Sequence, residues 1–99
     1  MDLKEHLRVI SPQLCAQFGI RKLAVFGSVA RGEETDKSDI DLLVEFADAT
    51  PATMPDRYFG LIEAVQTKTN RPTQLLTPGM IRNPFLKRSI ERDLEYIYE

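Results

Sequence analysis

Two short apolar runs, joined by a polar segment, decide how this chain folds. Residues 22–28 read Lys-Leu-Ala-Val-Phe-Gly-Ser, and residues 39–46 read Asp-Ile-Asp-Leu-Leu-Val-Glu-Phe. Short apolar runs bounded by turn signals are typical of buried strands. We therefore predict strands over residues 22–26 and 39–46, the second apolar enough to be central in a sheet. The stretch 28–32 between them has room for about one helical turn.

Helical periodicity precedes the first strand. Asp2 and Glu5 have the spacing of a capping box. Apolar residues then recur at helical spacing, at Leu3, Leu7, Ile10 and Leu14. Ser11-Pro12 has the pattern of a helix start, so we predict a break there and a second short helix that Gly19 ends.

The second half of the chain predicts helix, strand and helix. Apolar spacing from Asp56 predicts a helix to about Asn70, and residues 73–77 read as a third strand. Asn83-Pro84 would begin a last helix, striped by Leu86, Ile90, Leu94 and Ile97. The order of elements predicts an α/β (α+β) fold, with a small mixed sheet of about three strands flanked by helices.

Composition narrows the class of protein. The chain has 99 residues and a net charge of −2, which argues against a protein whose main role is to coat nucleic acid but leaves a local basic face open. Its one cysteine, Cys15, excludes an intramolecular disulfide and a cysteine-based zinc cluster, and fits a reducing cytosol. No stretch approaches 18 apolar residues and the start has no apolar segment, so we expect neither a membrane span nor a signal peptide.

Gly27-Ser28 is a candidate phosphate site. It lies between a predicted strand and a helical turn, where unpaired backbone N–H groups attract anions. Glycine lets the backbone approach the phosphate closely, and the Ser28 hydroxyl adds a donor. Arg31, one turn further on, would contact the same phosphates or brace the loop.

Asp39 and Asp41 form a candidate metal site. Residues two apart in a strand point to the same face, so the two carboxylates project side by side. Such a pair is costly unless a cation neutralises it, and Mg²⁺ prefers carboxylate and phosphate oxygens. A phosphate cradle beside a magnesium pair is the equipment for phosphoryl or nucleotidyl transfer.

The two-part motif resembles the minimal nucleotidyltransferases (MNT) of the DNA polymerase β-like superfamily. Residues 27–33 (Gly-Ser-Val-Ala-Arg-Gly-Glu) and 38–46 match the signature of Gly-Ser, ten residues and Asp-x-Asp without a gap. A weaker likeness continues through 76–78 and from 90–92 to 96–98. The resemblance therefore covers nearly the whole chain and implies a single MNT domain over residues 1–99, with a polymerase β-like fold.

This resemblance implies an activity, cofactors and a partner. It implies ATP or another nucleoside triphosphate as substrate, Mg²⁺ as cofactor, and transfer of a nucleoside monophosphate with release of pyrophosphate. Asp39 and Asp41 would be the catalytic metal ligands, and Gly27, Ser28 and Arg31 would bind the nucleotide. Many members are encoded beside a HEPN-domain ribonuclease toxin and act as its antitoxin by transferring AMP to a tyrosine. The partner implied is thus a HEPN toxin, in a cytoplasmic hetero-oligomer.

One position departs from the family pattern. The third carboxylate of the family falls in the run 73–77, where this chain has Gln74. An amide is not a general base and is a weaker magnesium ligand than a carboxylate. Neither Glu45, about 13 Å along the strand from Asp41, nor Asp36 in the preceding loop is a convincing replacement. An alternative function is therefore a catalytically impaired protein that neutralises its partner by binding alone.

Two further expectations concern the acceptor. The small size of the chain favours a macromolecular acceptor that supplies its own surface over a small molecule such as an aminoglycoside. Arg82, Lys87, Arg88 and Arg92 are interleaved with Glu91, Asp93 and Glu95. This pattern favours a solvated helix face over a nucleic-acid site.

Overall fold

The computed structural model describes residues 2–48 and 50–99; Met1 and Ala49 lie outside them. Eight helices and strands follow one another in the described chain. They are α1 (Leu3–Phe18), β1 (Ile20–Phe26), α2 (Gly27–Arg31), β2 (Ile40–Phe46), α3 (Met54–Thr69), β3 (Thr73–Leu76), α4 (Pro84–Asp93) and β4 (Glu95–Tyr98), with a 3₁₀ turn at Pro78–Met80.

The strands form one mixed sheet in the order β3-β2-β1-β4. β1 pairs antiparallel with both β2 and β4, whereas β2 and β3 are parallel. The α/β class and the mixed sheet are confirmed, and β2 is central as predicted. The expected count of about three strands is too low by one.

The missed strand lies where a continued helix was predicted. α4 begins after Asn83, whose side chain accepts from the backbone N–H of Phe85 and Leu86, but it ends at Asp93. Leu94 is extended, and Ile97 belongs to β4. Residues 95–98 read Glu-Tyr-Ile-Tyr, a β-favouring run that adds a strand to the otherwise open edge of β1. The helical spacing of Ile97 is therefore incidental.

The predicted break at Ser11-Pro12 is also absent, because α1 continues through Pro12. The Ser11 hydroxyl donates to the carbonyl of Leu7 at 2.5 Å, and Ser11 is fully buried. Burial of Leu7, Leu14 and Cys15 on one side holds the helix together across the proline. The predicted ends are confirmed: Asp2 accepts from Glu5 N–H, and Gly19 closes the helix at φ 66°.

The two faces of the sheet have different roles. Alternate residues of the strands, Leu23, Val25, Ile40, Leu42, Val44 and Leu75, join the main core with α1 and α3; we call this the core face. The intervening residues define the opposite, site face: Ala24, Phe26, Asp41, Leu43, Gln74 and Leu76. Among the described residues, no helix has the length and apolarity to cross a bilayer.

Candidate active site

The turn after β1 places Gly27 and Ser28 at the end of the sheet. α2 follows the strand at once, and Gly27 has a φ of 73°. Val29, fully buried in the main core, anchors the turn. Gly32 ends α2 in the left-handed conformation, with its N–H directed to the carbonyls of Ser28 and Val29. The predicted short helix is confirmed, and Ser28 remains half-buried at its start.

Gly27 and Asp41 lie against each other. Phe26, the residue before Gly27, is the register partner of Asp41. A Cβ on Gly27 would lie 3.3 Å from Cγ of Asp41 and closer still to Oδ2. The bare backbone of the turn therefore packs directly on a carboxylate, and a side chain at position 27 would displace Asp41. The structure brings the two halves of the sequence motif into one place.

Asp39 and Asp41 are separated by Ile40, which is fully buried in the main core. Since alternate residues face opposite ways, both carboxylates point away from that core. Asp39 is exposed just before β2, whereas Asp41 is half-buried on the site face. Burial raises the pKa of the Asp41 carboxyl, the Asp39 carboxylate raises this pKa further, and the Arg31 guanidinium lowers it.

Arg31 is already engaged by two acids. Its Nε donates to Glu33 at 2.5 Å and its Nη1 donates to Asp93 at 2.7 Å. The hydrogen bonds that it donates to Glu33 and Asp93 raise the pKa of Arg31. Of the two roles predicted for Arg31, bracing is the one visible in the structure, because Asp93 ties α2 to the end of α4. The guanidinium is nevertheless close enough to influence Asp41.

Lys4 holds α2 from the other side and was missed in the sequence. Its Nζ donates to the carbonyl of Ala30 at 3.0 Å and pairs with Glu95 at 3.3 Å. Glu95 also accepts from Arg8 at 2.6 Å. The last carbonyls of a helix lack backbone partners, and a lysine ammonium satisfies one of them here. No pattern of spacing links Lys4 to Ala30, since 26 residues separate them.

Arg71 is a second missed residue, and it fixes the loop before Asp39. Its Nη1 donates to the carbonyls of Thr35 and Ser38 at 2.6 and 3.3 Å. Directly after this loop, Ile40 N–H donates to the carbonyl of Pro72 at 2.9 Å. These contacts anchor the backbone on both sides of Asp39 while its side chain stays exposed.

Gln74 lies beside Asp41. The two residues are register partners in the parallel pair β2–β3, so their side chains share the site face. Within residues 2–48 and 50–99, no cluster of three or more His, Cys, Asp or Glu has the arrangement of a metal site. Glu45 instead pairs with Arg21, and Asp36 is exposed in its loop. The described site therefore offers two carboxylates and one amide.

The residues present fit a magnesium nucleotide. Two carboxylates on one strand face supply hard oxygen ligands, and Mg²⁺ commonly takes one or two carboxylates together with substrate phosphates. Gly27, with no Cβ, leaves the backbone of the turn bare next to these ligands. Phosphate oxygens on the N–H groups of the turn would thus lie close to a metal held by Asp39 and Asp41.

Known proteins resemble this chain over nearly its whole length. A family profile described as a nucleotidyltransferase domain matches residues 7–97. This chain belongs to that family. Protein adenylyltransferase MntA of Thermococcus cleftensis is 38% identical to this nucleotidyltransferase over 96 residues, which cover 97% of this chain and 93% of the relative.

Two solved structures share the fold, and one of them also shows the same family. A structure described as a candidate minimal nucleotidyltransferase is 30% identical, with a TM-score of 0.75 over 96% of this chain and 95% of the other. A chain from the complex of a tri-AMPylated Shewanella oneidensis HEPN toxin with an MNT antitoxin shares the fold at 13% identity. Its TM-score is 0.66 over 97% of this chain and 72% of that chain. The nucleotidyltransferase is a member of the minimal, MNT group, as the sequence resemblance implied.

Proposed function

We propose that this nucleotidyltransferase binds ATP with Mg²⁺ and transfers AMP to a tyrosine of a HEPN ribonuclease toxin, for which it is the cytoplasmic antitoxin. The observation that carries the proposal is the packing of the Gly27 backbone on the Asp41 carboxylate. It puts the phosphate-binding turn and the acidic pair of one motif into a single site. The adenylyltransferase name of the Thermococcus relative and the AMPylated toxin in the Shewanella complex support AMP as the group and a HEPN protein as the acceptor.

Each residue of the site has a role in this reaction. N–H groups of the Gly27–Ser28 turn and the Ser28 hydroxyl bind the triphosphate, with Arg31 adding positive charge. Asp39 and Asp41 hold the metal, which when bound offsets negative charge that develops on the phosphates. The tyrosine oxygen forms a bond to the α-phosphorus, the bond from that phosphorus to the β-phosphate oxygen breaks, and pyrophosphate leaves. The phenolic proton passes to solvent, since Gln74 does not accept it as a carboxylate would.

The direct test incubates the purified protein with α-labelled ATP, Mg²⁺ and the HEPN protein encoded nearby. We expect label on the HEPN protein, and no label on a HEPN variant that lacks the acceptor tyrosine. Asp39→Asn and Asp41→Asn should each reduce the rate by about 100-fold or more, because each removes a charged metal ligand. Asp36→Asn is the matched control, since Asp36 is exposed in the neighbouring loop. Wild-type labelling equal to that of Asp41→Asn would show that the proposed transfer is wrong.

A second function is favoured by one specific observation, the place of Gln74 beside Asp41. If the amide has removed the transfer step, the protein binds the nucleotide and neutralises the toxin by contact alone. Toxin neutralisation would then persist in the Asp39→Asn/Asp41→Asn double variant. Gln74→Asp would in that case create labelling that the wild type lacks. Under the first function, neutralisation is lost in the double variant and Gln74→Asp changes an existing rate.

A further inference from the structure

α4 leaves most of its surface uncovered. Ile90 is its one buried residue, at 3% exposure, whereas Phe85 is 78% and Leu86 46% exposed. Arg88 lies two residues before Ile90, and Arg92 lies two residues after it. Each is rotated by about 200° from Ile90 around the helix axis, so both point away from the sheet. Phe85 precedes Arg88 by three residues and shares this outer face. We call the exposed residues Phe85, Leu86, Lys87, Arg88 and Arg92 the α4 ridge.

The ridge is basic because of how the chain folds. The sequence interleaves its cations with Glu91, Asp93 and Glu95, a pattern that predicted a solvated helix face. In the structure, Asp93 turns inward to Arg31, and Glu95 lies in β4 and pairs with Lys4 and Arg8. Glu91 alone remains between the cations.

Charge is concentrated on this segment as a result. Residues 82–92 carry four cationic side chains and one acidic side chain, a net charge of +3 in a chain of net charge −2. Across the described residues, no ion pair involves Arg82, Lys87, Arg88 or Arg92. The outer face of α4 thus has unpaired cations around the exposed Phe85, with the half-exposed Leu86 at its border, and it complements an acidic protein surface with an apolar centre.

α4 is also continuous with the candidate active site. Ile90 is buried outside the main core, and α4 contacts β1, whose buried residues outside that core are Ala24 and Phe26. These residues share the site face with Asp41, the register partner of Phe26. α4 therefore lies on the same side of the sheet as the carboxylates, and its Asp93 contacts Arg31 directly at 2.7 Å.

We propose that the α4 ridge is the docking surface for the protein acceptor, which meets it with an acidic surface around an apolar centre. The inference rests on the proposed function, because that function requires a protein acceptor beside Asp41. A protein accounts for both kinds of exposed side chain. RNA phosphates would use the cations and leave Leu86 without a role. Membrane binding is disfavoured because this ten-residue helix exposes only two large apolar side chains, which bury little apolar area in a bilayer.

The test compares matched charge reversals on opposite faces of the molecule. Arg88→Glu changes the α4 ridge, and Lys68→Glu makes the same change of charge at an exposed position of α3, which packs on the core face. We expect Arg88→Glu to raise the Kd for the HEPN protein by about tenfold or more, and Phe85→Ser to do the same at higher salt. Lys68→Glu should stay within about twofold. In the transfer assay, the ridge variants should raise KM for the HEPN protein while kcat and ATP binding stay unchanged.

Each outcome separates the docking surface from the transfer reaction. If Arg88→Glu binds the HEPN protein more weakly but the wild type transfers no AMP, the docking surface is supported and the transfer reaction is contradicted. Normal transfer and an unchanged Kd in Arg88→Glu and Phe85→Ser would overturn the docking surface alone. Equal weakening by Lys68→Glu would overturn it too. So would tighter binding of a single-stranded RNA or of vesicles containing phosphatidylglycerol than of the HEPN protein.

Discussion

The backbone of Gly27 rests on the carboxylate of Asp41, and there is no space for a side chain between them. A residue with a Cβ at this position would displace Asp41 and would also have to adopt the left-handed φ of 73°. The displacement changes the site, whereas the unfavourable φ lowers the stability of the fold. The two costs are separable, because Gly32 has the same φ of 73° and no atom within 4 Å of its added Cβ.

We therefore expect different effects from alanine at the two glycines. Gly27→Ala and Gly32→Ala should each lower the free energy of unfolding by about 1–3 kcal/mol, the cost of a non-glycine residue in the left-handed region. Only Gly27→Ala should also abolish ATP binding, measured by calorimetry on folded protein. Equal ATP affinities in the two variants would contradict the placement of Asp41 against the turn.

Pro12 lowers the stability of α1. A proline inside a helix removes one backbone hydrogen bond and crowds the carbonyl four residues earlier, here that of Arg8. Pro12 is exposed, so its ring contributes little to the core. Pro12→Ala should raise the free energy of unfolding by roughly 1–3 kcal/mol in denaturant titrations. Gln13→Ala, at the next exposed position, should change it by less than about 0.5 kcal/mol. A less stable Pro12→Ala protein would mean that the proline has a packing role.

The structure could be predicted from the sequence where local interactions decide it. The turn signal at Gly27-Ser28 and the apolar run 39–46 each act over a few residues, and they correctly predict the short helix α2 and the central strand β2. The break at Pro12 and the helical place of Ile97 are wrong, because burial of α1 and pairing along β1 outweigh local propensity. The Lys4–Ala30 contact arises between elements far apart in the chain and has no local signal.

Cys15 should be an unreactive thiol in the folded protein. It is 2% exposed, and burial raises its pKa from 9.0 to about 11. At pH 8 the thiolate fraction is then about 100-fold below that of an ordinary cysteine, so reaction with a disulfide reagent should be slower by at least that factor. Unfolding in guanidinium should release one reactive thiol per chain. Fast stoichiometric reaction of the native protein would contradict this burial.

The same shift predicts a loss of stability in alkali. Because the folded thiol holds its proton to a higher pH than the unfolded thiol, folding is favoured by this group below about pH 9. That contribution declines as the pH rises toward about 11. Cys15→Ala should flatten the decline in melting temperature over this range, and an unchanged slope would show that other groups cause it.

Arg31 joins the helix α2, which carries the Gly27–Ser28 turn, to α4, and its two predicted roles can be separated. Asp93→Asn removes a partner of the brace but keeps the cation, whereas Arg31→Ala removes both. If Arg31 contacts the triphosphate, Arg31→Ala should raise the KM for ATP by about tenfold, the effect of one lost charge-assisted hydrogen bond. Asp93→Asn should leave this KM within about twofold.

Both variants should lower the melting temperature, and their double variant should lower it by no more than Arg31→Ala, since the two side chains share one interaction. Glu33→Gln, which removes the more exposed partner of Arg31, is the control. A tenfold rise in KM in Asp93→Asn as well would instead mean that Arg31 acts on the nucleotide only by holding α2 in place.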